Sequence, residues 1–144
     1  MALNHAAKGL VLLLVTASVL AIGQAKTIVV GGTEGWRYGF NYTDWAIQNT
    51  PFYIEDKLVF KYDPPSDTNS LAYGVYKLPN LDSYLSCNFS SAEVLANSTQ
   101  GVGNGFEVSL NEWKPYYFAS YGVDANHCND GHMKFFAVPW PHNN

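Results

Sequence analysis

The sequence predicts an all-β Greek-key sandwich. Three observations carry this expectation. Short apolar runs alternate at the two-residue period of strands, Gly, Pro, Asn and Asp interrupt them at short intervals, and no sustained amphipathic helix is present. In such a sandwich the inward residues of two sheets form one core.

Residues 27–30 are the first β-branched run, ended by Gly31-Gly32. Residues 43–47 predict one helical turn. Residues 57–62 alternate, with Leu58, Phe60 and Tyr62 on one face and Lys57, Val59 and Lys61 on the other, and stop at Asp63-Pro64-Pro65; this is a half-buried strand. Residues 74–78, 105–110, 115–119 and 134–138 supply further strands, the last with Phe135 and Ala137 opposite Phe136 and Val138. Behind a Ser cap, residues 91–96 predict one or two helical turns. Gly101-Val102-Gly103-Asn104-Gly105 lacks the Lys of a phosphate loop and leads into a strand, so it reads as a turn with Asn104-Gly105 at positive φ. Glu55 and Asp56 point to opposite sides of an extended chain and read as a solvated turn rather than as an acid and base pair.

Residues 1–25 read as a signal peptide: Lys8 flanks an apolar run over 10–22, and Gly23-Gln24-Ala25 offers small residues for cleavage. The run is shorter than the ~20 residues of a spanning helix, so a membrane anchor is the lesser alternative. A mature chain over 26–144 has room for one domain. Eight basic residues, one of them Lys8, stand against twelve acidic ones with no run of like charge, which argues against nucleic acid as a partner. No glycolipid anchor signal is expected at the polar C-terminus.

Secretion places Cys87 and Cys128 in an oxidising compartment, where an even count predicts a bridge; two buried free thiols are the alternative. Asn41-Tyr-Thr, Asn88-Phe-Ser and Asn97-Ser-Thr are candidate N-glycosylation sites, whereas Asn49-Thr50-Pro51 is not one.

Several runs in order carry a family resemblance: Val30-Gly31-Gly32 with Gly35-Trp36, Tyr42-Thr43-Asp44-Trp45-Ala46, Asp56-Lys57-Leu58-Val59-Phe60-Lys61-Tyr62, Tyr84-Leu85-Ser86-Cys87, Tyr117-Phe118 and His127-Cys128. The chain resembles the plant phytocyanins, cupredoxins that include plantacyanins, uclacyanins and early nodulin-like proteins. The resemblance implies a cupredoxin sandwich with a Cys87–Cys128 bridge. It also implies a copper site built from a His, a Cys, a second His and a weak axial ligand. Tyr73 stands where that family carries the first His, and Ser120 where it carries the Cys. His127 is kept, on a longer spacer from Ser120, and Met133 lies one position beyond the usual axial place, which His132 occupies.

The thiolate can be tested without the resemblance. A type 1 copper centre needs a His₂Cys trigonal set, and a bridged sulfur cannot supply its thiolate. Cys87 and Cys128 are the chain's two cysteines, so no cofactor is expected; copper is the alternative. Of the histidines beyond the leader, His127, His132 and His142, two could hold Cu²⁺ or Zn²⁺ weakly, with solvated or satisfied imidazoles as the plainer reading. Enzyme signatures such as Gly-x-Ser-x-Gly and His-Glu-x-x-His are missing.

The aromatic content predicts a surface patch as well as a core. Tyr73, Tyr116, Tyr121 and Trp140 are the candidates for contacts to a cell-wall saccharide or an extracellular protein. The expectation is therefore an extracellular, copper-free binding or structural module of the early nodulin-like kind. The rival is a redox protein with copper on an unusual set such as His127, His132 and Met133, and an enzyme is the remotest reading.

Overall fold

The computed structural model describes residues 25–142, so the predicted leader lies outside the described residues except for Ala25. The strands are β1 (Thr27–Val29), β2 (Phe52–Tyr53), β3 (Lys57–Phe60), β4 (Val75–Leu78), β5 (Glu93–Ala96), β6 (Phe106–Ser109), β7 (Tyr116–Ala119), β8 (Lys134–Ala137) and β9 (Pro139–Trp140). Three short α-helices intervene, α1 (Tyr42–Gln48), α2 (Leu81–Ser86) and α3 (Asn126–Asn129), with one 3₁₀ turn at Gly32–Glu34. One sheet has the order β1-β3-β6, with β1 parallel and β6 antiparallel to β3. The other has the order β5-β4-β7-β8 and is antiparallel throughout, and β2 pairs with β9 apart from both. The architecture is the all-β sandwich that the alternation predicts.

The core joins the two sheets through aromatic rings. Phe60 of β3 lies 5.4 Å from Phe118 of β7 and 6.1 Å from Phe135 of β8. Trp36 packs edge-on to Phe60 at 5.1 Å and satisfies its indole N–H on the Gly74 carbonyl at 2.8 Å. Each such ring, wholly removed from water, contributes roughly 1.5–3 kcal/mol. Helix α1 closes one side through Trp45, 5.4 Å from Phe135, and is capped by Asn41, whose side-chain oxygen accepts the Asp44 N–H.

A second cluster lies on the outer face of the four-stranded sheet, where Leu78, Tyr84, Ala119 and Ala125 pack around the disulfide. The Cys87–Cys128 bridge is present and ties the end of α2 to α3; the described residues hold no free cysteine. Among the described residues, no helix is long and apolar enough to cross a membrane.

Four local expectations are corrected. Residues 91–96 are not helical: Glu93–Ala96 is an edge strand, because the open edge of β4 supplies hydrogen bonds and Lys77 meets Glu93 across the register at 3.3 Å. Val59 is buried instead of solvated, since the 101–105 turn folds over β3. A Cβ on Gly105 would come within 2.8 Å of Val59. In that turn Gly103 and Gly105 take positive φ, while Asn104 does not. Asp56 is only 1% exposed rather than part of a solvated turn, its carboxylate accepting the backbone N–H groups of Lys26 at 3.0 Å and Tyr53 at 2.9 Å.

Candidate functional site

Four residues singled out from the sequence meet where the loops of the four-stranded sheet converge. Tyr73 precedes β4, Ser120 follows β7, His127 sits in α3 and Met133 precedes β8. Backbone bonds hold them in register: Ser120 N–H donates to the Met133 carbonyl at 3.1 Å, and Met133 N–H to the His127 carbonyl at 3.0 Å. All four side chains are buried, Ser120 and Met133 completely.

The centre of the cluster is a hydrogen bond of 2.9 Å between Ser120 Oγ and His127 Nδ1. The Gly74 N–H also donates to Ser120 Oγ at 3.3 Å, so the hydroxyl joins the start of β4 to the imidazole. Burial holds the His127 pKa below the usual imidazole value, which favours the neutral ring. The Tyr73 ring lies 5.2 Å from the imidazole, and its hydroxyl accepts the Tyr38 N–H at 3.2 Å. Tyr38 itself lies edge-on to His127 at 6.0 Å, and Gly122 lets the chain pass the imidazole, since a Cβ there would come within 2.5 Å of it. Tyr38 and Gly122 carry no signal in the sequence that would assign them here.

The copper site implied by the resemblance can be tested on these donors. Nδ1 of His127 is engaged by the Ser120 hydroxyl, Ser120 offers an alcohol, and an aromatic ring stands in place of the other imidazole. Among the described residues no buried side-chain nitrogen or oxygen lacks a hydrogen-bond partner. The donor set does not fit type 1 copper. His132 is exposed on a turn with φ of 58°. His142 is engaged elsewhere, its Nε2 2.9 Å from the Ile54 carbonyl and its ring stacked on Tyr53. Among the described residues no three of His, Cys, Asp and Glu converge as metal ligands.

The expected aromatic patch is partly corrected. Tyr73 and Tyr116 are buried, Tyr73 between Tyr62 and His127, and Tyr116 stacked on Phe118 with its hydroxyl accepting the Glu112 N–H. Trp140 is 52% exposed and meets Trp113, 62% exposed, at 5.8 Å, a partner that the reading of the sequence missed. Tyr121 is half-buried beside Phe89 and Tyr76. The three candidate glycosylation asparagines are all exposed.

The chain matches the plastocyanin-like domain family over residues 36–132. It is 32% identical over 131 residues to Blue copper protein 1a of Medicago truncatula, covering 90% of this chain and 72% of the relative. To Blue copper protein 1b of the same plant it is 33% identical over 110 residues, covering 76% of this chain and 59% of that relative. Among solved structures it is similar to cucumber basic protein, a blue copper protein, with a TM-score of 0.56 and 25% identity over 78% of this chain and 98% of that one. Its fold is also similar to that of cucumber stellacyanin, with a TM-score of 0.63 and 23% identity over 83% of this chain and 99% of that one. With the bridged two-sheet sandwich already in place, these matches make the chain a member of the plant phytocyanin family, built on a plastocyanin-like cupredoxin domain.

Proposed function

We propose that this chain is a secreted phytocyanin without a type 1 copper centre, acting as a binding or structural module at the plant cell surface or wall. The observation that carries this reading is the 2.9 Å bond between Ser120 Oγ and His127 Nδ1, made while both cysteines are committed to the disulfide. An alcohol stays protonated near neutral pH and does not replace a soft thiolate. The same pair does not make a hydrolytic centre: Ser120 is fully buried, and among the described residues no carboxylate hydrogen-bonds to His127. The exposed Trp113–Trp140 pair supports a binding role, since ring faces offer area to a saccharide or a peptide.

The names of the Medicago relatives and of cucumber basic protein favour a second reading, copper-based electron transfer with metal on a set such as His127, His132 and Met133. Copper loading separates the two. Purified protein exposed to Cu²⁺ and freed of excess metal is expected to remain colourless. A strong blue band with narrow hyperfine splitting in electron paramagnetic resonance overturns the first reading and restores the second.

A further inference from the structure

An open cavity of about 590 Å³ lies against the disulfide, lined by Tyr76, Cys87, Asn88, Phe89, Tyr121 and Asp124 among others. Three rings form its wall: Phe89 lies 5.3 Å from Tyr76 and 5.0 Å from Tyr121, and the two tyrosines are 6.1 Å apart. Among the described residues neither the Tyr76 nor the Tyr121 hydroxyl takes part in a hydrogen bond to protein, although both rings are half-buried. The cup thus combines apolar faces with two free hydroxyls, the combination that suits a pyranose ring, whose C–H face stacks while its rim hydrogen-bonds.

Asn88, an acceptor asparagine by its sequence, stands on the rim of this cup. Its backbone is fixed: Asn88 N–H donates to the Ser83 carbonyl of α2 at 2.9 Å, and the preceding residue is bridged. Its side-chain oxygen accepts the Ser90 N–H at 3.0 Å, so the engaged atom of this exposed residue is Oδ1 and not the Nδ2 that a glycan takes. The other acceptors differ. Nδ2 of Asn41 donates to Asp44 Oδ2 beside α1, and Asn97, whose side-chain oxygen accepts the Thr99 N–H much as that of Asn88 accepts the Ser90 N–H, does not line this cup.

We propose that Asn88 carries an N-glycan whose first N-acetylglucosamine docks on the Tyr76, Phe89 and Tyr121 rings, so that the modification completes the outer cluster around the disulfide. The inference rests on the secreted reading. Its test therefore supplies a host leader, so that a failure of the native leader is measured separately.

The chain is secreted from a eukaryotic host, and glycopeptide mass spectrometry reads occupancy at Asn88. An endoglycosidase that leaves one N-acetylglucosamine is expected to preserve Tm, while the Ser90→Ala protein, which loses the acceptor signal but keeps the Asn88 side chain and the backbone N–H it accepts, melts about 4 °C lower, the shift of one stacking contact in a domain of this size. In a Tyr121→Ala background that difference should vanish. Should that variant fail to fold, nuclear Overhauser effects from the acetamido methyl to the Tyr121 ring in the wild-type glycoprotein give the same answer. An unoccupied Asn88, an occupied Asn88 with no change in Tm, or a difference that survives Tyr121→Ala overturns the proposal.

Discussion

Ser120 and His127 bury their polar atoms against each other, and the pair therefore has a definite protonation state on which folding depends. The His127 pKa is lowered by burial, so the folded chain binds fewer protons at this ring than the unfolded chain, whose imidazole titrates near about 6.5. Stability rises with pH wherever the unfolded state holds more protons. This contribution is complete above pH ~6.5 and is lost as pH falls through the lowered folded value. Urea midpoints at pH 7.5 and pH 5 should differ in that direction, and His127→Gln should flatten the difference; an unchanged slope in the variant would assign it to other groups. At this scale the chemistry was legible in the sequence, because the lack of a spare thiolate depends on residue types alone. The bond itself was not, since Oγ and Nδ1 meet only when the end of β7 and α3 are folded together. Tyr73 and Tyr116 show the same divide: their ring type was visible, but their burial is decided by neighbours distant in sequence.

Among the elements, the long alternating runs were readable and the short pieces were not. β8 follows its periodicity, with Phe135 and Ala137 inward and Phe136 turned out, while β3 forms where its run predicts but buries Val59 as well as Leu58 and Phe60. Glu93, Leu95 and Ala96 have good helical propensity, yet a four-residue segment is too short for propensity to outweigh the unpaired edge of β4. Helix α2 passes unnoticed for a related reason. Its cap is written in Asn80, which accepts the Ser83 N–H, but six residues make no amphipathic pattern. The disulfide compensates for such brevity by fastening α2 to α3 across 41 positions. Constraining that loop in the unfolded chain is worth about 4 kcal/mol on the entropy model. Cys87→Ser and Cys128→Ser should each lower the urea midpoint strongly and by similar amounts, and the double variant should lose little more than either single one. Additive losses would mean that the two sulfurs act separately.

The whole molecule begins, in its described part, with β1 laid parallel to β3, and this first strand is fastened at its origin to Asp56. That carboxylate is almost fully enclosed and receives the Lys26 nitrogen at 3.0 Å. If processing releases the chain at Ala25, as we propose, the same nitrogen changes from a peptide amide to an ammonium. The contact then becomes charge-assisted, a class worth about 1.5–3 kcal/mol against about 1 for a neutral bond. Protein starting at Lys26 should melt above protein with one extra Ala before it, and Asp56→Asn should erase the gap; equal melting of both forms would deny any role to the new terminus. The fold would thus keep a record of its own maturation: a chain cut at the wrong bond could still assemble both sheets, but its first strand would lack the charge that Asp56 is placed to receive.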